Sequence, residues 1–243
     1  MEGRSKEVEY DVAEQIGRGR FGAAFLVVNK SKNKRYVMKK IKLARQTERF
    51  KQMAVQEMNL IAELNHPYIV EYRDSWVGKE CVCIVTNYCE GGDMDQMIRR
   101  ARGTYFSEEM VCKWLTQLLL ALDYLHSNRV LHRDLKCSNI FLSKSNDIRL
   151  GEFGLAKLLG KDDLASTLTP SIRIHFLLLL PNQESSWQKL IAFYFICGYG
   201  GTNPQDNLGS ISPLPPSYSS TLKQLIKFML RKSPEHGLRL QSC

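Results

Sequence analysis

The octapeptide HRDLKCSN, residues 132–139, brings an aspartate, a lysine and an asparagine together in one short segment. On a loop after a long helix such a segment can do chemistry, because Asp134 could accept a proton from a hydroxyl group and Asn139 could hold a metal ion. An exposed loop aspartate with no catalytic role is the alternative for Asp134 taken alone. The sequence on either side has to distinguish the two interpretations.

The flanking sequence predicts a helix before this segment and two short strands after it. Ser107, followed by Glu108 and Glu109, is typical of a helix start, with a capping hydroxyl and acids in the first turn. Apolar residues then recur at helical spacing, which predicts a core helix. They are Val111, Trp114, Leu115, Leu118, Leu119, Leu122 and Leu125. The stretches NIFL (139–142) and DIRL (147–150) predict two strands joined by a turn.

A glycine-rich turn, GRGRFG at residues 17–22, lies near the start of the sequence. Residues 10–42 read as three strands joined by this turn and a polar turn, and CVCIVTNY (81–88) predicts a further strand. In dinucleotide-binding folds a helix follows Gly-x-Gly-x-x-Gly, and the Gly-Lys-Ser/Thr of a P-loop is missing here. Two interpretations are left: a plain hairpin, or a flap whose backbone N–H groups approach phosphates.

A lysine and a glutamate downstream favour the flap. Lys39, in YVMK on the third predicted strand, lies at about the right distance to reach phosphates beneath the turn. A helix is predicted from about Arg49 to Leu64. Its apolar positions are Phe50, Met53, Ala54, Ile61 and Leu64. Glu57 falls on the same face, where an unpaired charge is costly, so we expect it to pair with a cation, for which Lys39 is the natural candidate.

A lone carboxylate, Glu152, precedes a Phe-Gly pair in RLGEFGLAK, residues 149–157. It is either an ordinary polar residue at a strand end or a metal ligand with one methylene more than aspartate. Mg²⁺ requires near-ideal octahedral geometry, and an extra methylene displaces a carboxylate by roughly 1.5 Å. We therefore expect a metal site that uses Glu152 to be weakened rather than abolished.

The composition is that of a soluble globular protein with a basic surface. Of the 243 residues 44% are hydrophobic and 24% charged, and the formal net charge is +9. The charge suggests an anionic partner such as phosphates, nucleic acid or an acidic protein surface, with a solvated basic face as the alternative. The seven cysteines form no regular framework, which favours reduced thiols. We see no secretory signal, and the apolar runs 176–180 and 190–197 are shorter than the roughly 20 residues of a membrane span.

Taken jointly, these motifs resemble those of eukaryotic protein kinases. Longer stretches, among them QEMNLI (56–61), YCEGGDM (88–94) and LHRDLKCSNIFL (131–142), are similar to the NIMA-related serine/threonine kinases, in particular those of plants. The resemblance runs from about Tyr10 to Leu168 and resumes near Ser212 to His236. It implies an α+β, bilobal kinase-like fold, with an antiparallel β N-lobe plus one helix and a mainly helical, incomplete C-lobe.

The same resemblance implies a role for each candidate residue. Asp134 would be the catalytic base, Lys136 would neutralise the transferring phosphoryl group, and Lys39, paired with Glu57, would hold the ATP phosphates. Asn139 and Glu152 would bind Mg²⁺ or the less demanding Mn²⁺. Residues 87–89 would be the hinge that meets adenine, next to a small gatekeeper. The residues expected around the nucleotide are Ile16, Gly17, Gly19, Gly22, Ala24, Val37, Lys39, Thr86, Asn87, Cys89 and Phe141.

The sequence also departs from the kinase pattern. Glu152 stands where the family has aspartate, and the Ala/Cys-Pro-Glu motif expected after LTPS (168–171) is missing. The Asp-x-Trp of a central C-lobe helix is missing too, and Gly237 replaces the arginine that pairs with the Pro-Glu motif. We therefore expect an N-lobe over residues 1–89, an upper C-lobe over 90–171, a divergent segment over 172–209 and remnants of the C-terminal helices over 210–243.

The function implied by the resemblance is phosphoryl transfer from ATP to Ser or Thr hydroxyls of a protein substrate, with activity impaired by these departures. A nucleotide-binding pseudokinase scaffold, and a basic module for acidic partners such as tubulin tails, are the alternatives. Microtubules are a candidate partner, whereas neither nucleic acid nor a membrane is expected. The expected location is the cytoplasm, with the cytoskeleton or the nucleus as alternatives.

Overall fold

The computed structural model describes residues 6, 8–19, 22–102, 104–158 and 216–229. The divergent segment 172–209, LTPS (168–171), Gly237 and most of the expected C-terminal remnant lie outside the described residues. The domain boundaries inferred from the sequence therefore remain predictions.

An antiparallel sheet of five strands, in the order β1-β2-β3-β5-β4, forms the first part of the chain. The strands are β1 (Tyr10–Arg18), β2 (Gly22–Asn29), β3 (Lys34–Lys42), β4 (Tyr72–Val77) and β5 (Cys81–Asn87). The strands predicted within residues 10–42 and at 81–88 are thus confirmed. The sequence pattern does not predict β4, because its residues YRDSWV are largely polar and only Trp76 is buried.

The turn between β2 and β3 is closed by a buried side chain. Asn29 Oδ1 accepts hydrogen bonds from Ser31 Oγ at 2.8 Å and from the backbone N–H of Lys32 at 3.0 Å. Local bonds of this kind stabilise a turn against continued strand pairing. They fix a register in which Lys39 lies opposite Ala24.

Helix α1 (Glu48–Glu63) packs on one face of this sheet and carries Glu57. Thr47 caps it, with its side chain accepting a hydrogen bond from the Phe50 N–H at 3.2 Å. Ala54 and Ile61 are buried, as the periodicity predicts. Met53, expected on the same face, is 41% exposed, so that assignment is wrong: the contacting stripe is narrower than the apolar positions indicate.

Two apolar clusters lie on opposite faces of the sheet, and β5 contributes to both by strict alternation. Val82 and Ile84 belong to the large core shared with the helices. Cys83 and Val85 belong to a smaller cluster on the other face, where Trp76 stacks on Tyr10 with ring centroids 6.1 Å apart. This period of two is the expected behaviour of a strand that is covered on both faces.

Two helices follow the sheet: α2 (Met94–Ala101) and α3 (Glu108–Ser127). The predicted start of helix α3 is confirmed, since Ser107 Oγ accepts a hydrogen bond from the Met110 N–H at 3.3 Å. Its predicted core stripe is confirmed too, with Trp114 fully buried. Helix α2 is not predicted, because eight residues with Met94 and Ile98 as its buried pair give little periodicity. Within the described ranges no helix has the length and apolar character that crossing a bilayer requires.

Short strands surround the loop of residues 132–139. Strands β8 (Ile140–Leu142) and β9 (Ile148–Leu150) confirm the predicted pair and form a three-stranded sheet with β6 (Gly92–Asp93). Strand β7 (Val130–Leu131) pairs with β10 (Lys157–Leu158). Strands of two residues carry no sequence periodicity, so β6, β7 and β10 become visible only in the structure. An antiparallel sheet with one long helix, followed by helices and short strands, agrees with the expected α+β, bilobal kinase-like fold.

A buried glutamine joins α3 to the β8–β9 turn. Gln117, 5% exposed, donates to Asp147 Oδ1 at 2.7 Å and accepts from the buried N–H of Ile148 at 2.9 Å. Asp147 also receives bonds from Ser145 and Lys113, and these hydrogen bonds lower its pKa to about 2. The turn is therefore held to the helix through both ends of one amide.

Helix α4 (Ser220–Met229) is tied to the start of α3. Ser219 donates its hydroxyl to Glu108 at 2.5 Å and its N–H to the same carboxylate at 2.6 Å, and these bonds lower the pKa of Glu108. The Tyr218 hydroxyl donates to the Phe106 carbonyl at 2.7 Å. The described part of the C-terminal region thus docks on the helical lobe despite a separation of 111 residues between Ser219 and Glu108.

We predict that Gln117→Leu destabilises the chain by about 1–3 kcal/mol, because it leaves the buried Ile148 N–H without its acceptor. Denaturant unfolding of the full chain measures this. Lys113→Ala is the matched control, since it removes an exposed partner of the same Asp147 carboxylate and should cost less than about 1 kcal/mol. Equal losses for the two variants would contradict the role of the buried amide.

Candidate nucleotide and phosphoryl-transfer site

A cavity of about 430 Å³ lies between the five-stranded sheet and the segments around β8 and β9. Its walls come from β1, β2 and β3 on one side, from residues 86–89 at the end of β5, and from Phe141 and residues 151–153 on the other side. The structure brings together on this cavity many of the residues singled out in the sequence. They are Ile16, Gly17, Ala24, Val37, Lys39, Glu57, Thr86, Asn87, Cys89, Phe141 and Glu152.

A second cavity of about 450 Å³ lies beneath the glycine-rich turn and shares Lys39 and Glu152 with the first. Gly17, Gly19 and Gly22 line it, and the Gly19 N–H donates to the Gly22 carbonyl at 2.9 Å, which closes the turn. A Cβ atom on Gly22 would lie 2.1 Å from the Lys40 carbonyl oxygen, so only glycine fits there. Asp134 lines the same cavity.

The Lys39 ammonium group is bound by two carboxylates from distant parts of the chain. Its Nζ lies 2.7 Å from Glu57 Oε1 on α1 and 2.9 Å from Glu152 Oε2 after β9. Burial by itself would lower the pKa of Lys39, but the two carboxylates outweigh it and raise the pKa. The lysine is therefore a fixed cation at the place where both cavities meet.

Glu152 occupies a strained backbone position between Gly151 and Phe153. Its φ of 60° lies in the left-handed region, which a residue with a side chain adopts at a cost. The neighbouring Phe153 is 2% exposed and holds the segment in the core. Gly154 packs against Glu57, since a Cβ there would lie 3.3 Å from Glu57 Oε2. The long side chain of Glu152 reaches Lys39 from this turn, a contact that no pattern in the sequence predicts.

Asp134 is linked to Lys136 and Asn139 within HRDLKCSN. Its Oδ2 accepts a bond from Lys136 Nζ at 2.8 Å and another from Asn139 Nδ2 at 2.9 Å. Asn139 Nδ2 also donates to the Asp134 backbone carbonyl at 2.7 Å. Lys136 and Asn139 therefore both donate to one oxygen of the Asp134 carboxylate, which is held as a hydrogen-bond acceptor.

His132 bonds the backbone of two segments, at Asp134 and at Gly151. It was not identified as a site residue from the sequence. It is 2% exposed, its Nε2 donates to the Gly151 carbonyl at 2.8 Å, and its Nδ1 accepts from the Asp134 N–H at 3.3 Å. Burial lowers the pKa of His132, which favours the neutral ring that these two bonds require. Its ring meets the edge of Phe153 at 5.0 Å between centroids. A buried histidine gives no periodic signal in a sequence.

Further lining residues also escape sequence reasoning. Apolar walls come from Ile61, Val70, Ile84 and Phe153, which look like ordinary core positions in the sequence. A polar rim comes from Asp93, Gln96 and Ser138. Asp93 is the only one with a sequence signal, as a capping residue, and its carboxylate does accept bonds from the N–H and the side chain of Gln96 at 2.8 and 2.7 Å.

The donor set near Glu152 fits a cation that takes few protein ligands. Among the described residues, no three His, Cys, Asp or Glu side chains converge as a metal site. The Gly151 N–H donates to the Asn139 backbone carbonyl at 2.9 Å, so Asn139 lies beside the turn that carries Glu152. An amide oxygen and a carboxylate are oxygen ligands, and Mg²⁺ bound next to a nucleotide takes one or two such ligands together with phosphate oxygens.

Comparison with known proteins agrees with this geometry. The sequence profile of the protein kinase domain matches residues 10–173. Serine/threonine-protein kinase Nek6 of Oryza sativa subsp. japonica is 55% identical over 94% of this chain and 45% of its own length. Serine/threonine-protein kinase Nek7 of Arabidopsis thaliana is 45% identical over 93% of the chain and 42% of its own length. Nek4 of Mus musculus is 33% identical over 97% of the chain and 32% of its own length.

The chain spans less than half the length of each of these relatives. The profile match ends at residue 173, next to the point where the sequence loses the kinase pattern. It nevertheless covers the glycine-rich turn, the Lys39–Glu57 pair, HRDLKCSN and Glu152. The chain therefore belongs to the protein kinase domain family, and its resemblance to the NIMA-related serine/threonine kinases of plants is confirmed.

Proposed function

We propose that this chain binds ATP and transfers its γ-phosphoryl group to Ser or Thr hydroxyls of a protein. The observation that carries the proposal is the position of Lys39, bound to Glu57 and Glu152 where the two cavities meet, with Asp134 on the wall of the second. Kinases use a lysine paired with a helix glutamate to hold phosphates, and an aspartate of a catalytic loop to accept the hydroxyl proton.

In the proposed complex the adenine base lies in the first cavity and the phosphates extend into the second. Residues 86–89 supply the edge that meets the base, and apolar side chains above and below it supply the faces. Those side chains are Ile16, Ala24, Val37 and Phe141. The turn that contains Gly17, Gly19 and Gly22 covers the phosphates, and at the glycines the backbone N–H groups can approach closely because these residues have no side chain.

The chemical step is assigned to the residues that converge on Asp134. Asp134 lines the second cavity, and its carboxylate would accept the proton of a substrate hydroxyl as that oxygen attacks the γ-phosphorus and the bond from phosphorus to the ADP oxygen breaks. Lys136, bonded to the same carboxylate at 2.8 Å, would stabilise negative charge on the transferring group. Asn139 orients Asp134 through its amide nitrogen, which supports a positioning role besides metal binding.

Asn139 and Glu152 are the residues that would hold Mg²⁺. When bound, this ion neutralises phosphate charge and orients the phosphates. Glu152 brings a longer side chain than the family's aspartate and already bonds Lys39 at 2.9 Å, so the same carboxylate would be shared between Lys39 and the metal ion. We therefore propose weak metal binding, and activity lower than that of a kinase with aspartate at this position.

The basic charge of the chain bears on its substrate and partner. A protein with an accessible Ser or Thr is the proposed phosphoryl acceptor, and the net charge of +9 favours an acidic surface, of which microtubules are the candidate. The proposed location is the cytoplasm, including its cytoskeleton, with the nucleus as the alternative. Salt-dependent binding to tubulin without an effect of nucleotide would favour a basic interaction module instead.

We predict that ATP raises the unfolding temperature of the full chain and that Lys39→Ala removes most of that shift. Loss of one charge-assisted contact to phosphate costs about 1.5–3 kcal/mol, or roughly 10–100-fold in affinity. Thermal unfolding with and without ATP measures this shift. The shift of each variant is taken relative to the same variant without ATP, because Lys39→Ala also removes the partner of Glu57. Lys42→Ala removes an exposed charge from the same strand and should keep the full shift. A full shift in Lys39→Ala would place the nucleotide elsewhere.

We predict that Glu152→Asp raises Mg²⁺-dependent phosphoryl transfer, whereas Glu152→Ala removes what remains. A carboxylate displaced by roughly one bond length can cost ~10²-fold in rate, so shortening the side chain should recover part of that factor. Wild type should be relatively more active with Mn²⁺ than with Mg²⁺. Transfer of labelled phosphate from ATP to the chain itself or to a generic protein substrate measures both. If wild type and both variants are equally inactive with either metal, the pseudokinase alternative holds.

A further inference from the structure

The hinge residue Asn87 is bound from outside the cavity by two residues that precede or begin β4. Its Oδ1 accepts a hydrogen bond from Arg73 Nε at 2.7 Å, and its Nδ2 donates to Glu71 Oε2. The Asn87 backbone N–H donates to the Glu71 carbonyl at 2.9 Å. Arg73 and Glu71 form an ion pair of 2.7 Å that closes the network. We call Glu71, Arg73 and Asn87 the hinge brace.

A β-bulge aims Arg73 at this position. Tyr72 pairs with Thr86 and Asp74 pairs with Val85, so Arg73 is the extra residue on β4. A bulge of this kind redirects a side chain, and these features occur frequently beside functional sites. Here it turns a guanidinium group toward the end of β5, where the cavity begins.

The hinge brace is better suited to fixing geometry than to stabilising the fold. The Arg73 and Glu71 side chains are 35% and 52% exposed, and exposed ion pairs contribute little to stability. Yet Asn87 is held at its amide oxygen, its amide nitrogen and its backbone N–H, which leaves it little freedom to rotate or shift. Asn87, Tyr88 and Cys89 all line the cavity.

We propose that Glu71 and Arg73 are positioning residues that set the selectivity of this site for its base through Asn87. The inference rests on the proposed nucleotide site. Backbone groups of a hinge distinguish purines only if they stay aligned with the edge of the base, because hydrogen bonds weaken steeply with misalignment. If the hinge were released from β4, the apolar walls of the cavity would still hold the flat faces of a purine. The hinge would then discriminate less between the hydrogen-bonding edges of adenine and guanine.

The test is a double-mutant cycle on the full chain, titrating ADP and GDP in the presence of Mg²⁺ by calorimetry. Arg73→Ala should weaken ADP binding about 3–10-fold and GDP binding less, so that the preference for ADP falls. In an Asn87→Ala background the same substitution should have no further effect, because Arg73 acts through that side chain. Glu71→Gln keeps an acceptor for the Asn87 amide and should give an intermediate loss.

Lys79→Ala is the matched control, since it removes an exposed cation from the connection between β4 and β5 without touching Asn87. It should leave both affinities unchanged, and all variants should unfold within a degree or two of wild type. Equal ADP preference in Arg73→Ala and Lys79→Ala would overturn the inference, as would an equal loss in the Asn87→Ala background. If wild type itself binds neither nucleotide, the proposed nucleotide site is overturned along with it, a result distinct from binding without a change in preference.

Discussion

One partly buried ammonium group joins three separate parts of this molecule. Lys39 belongs to the central sheet, Glu57 to the helix that packs on it, and Glu152 to the turn after β9. Glu57 is only 10% exposed, and a buried carboxylate left without its cation is strongly destabilising. The position of α1 against the sheet therefore depends on the lysine, and the lysine depends on the register of the β2–β3 hairpin.

A second connection, made without charge, holds the other half of the site. Neutral His132 bonds the backbone beside Asp134 with one nitrogen and the backbone beside Glu152 with the other. Because the ring bonds backbone groups, it links the loop of residues 132–139 to the turn after β9 independently of the neighbouring side chains. The ion pair of Lys39 with Glu152 and the hydrogen bond of His132 with Gly151 thus hold the same short turn. In this turn Glu152 has a left-handed backbone.

Long periodic elements and paired charges were predictable from the sequence, and local geometry was not. Helix α3 and the β8–β9 pair follow from spacing and capping, and the partner of Glu57 follows from the cost of a charge on an apolar face. His132 and the Arg73 bulge carry no periodic signal, since their positions depend on contacts between elements distant in sequence. The prediction that Met53 is buried fails for a related reason. The sheet covers a narrower stripe of α1 than the stripe of apolar residues in its sequence.

The environment of Cys89 has a consequence for chemical probes of this site. Cys89 lines the cavity, where a reactive inhibitor could reach it, but burial raises the pKa of its thiol to about 11. Only the thiolate attacks electrophiles at a useful rate, and at neutral pH roughly one thiol in 10⁴ would be ionised. Acrylamides and similar warheads directed at this cysteine should therefore label it slowly.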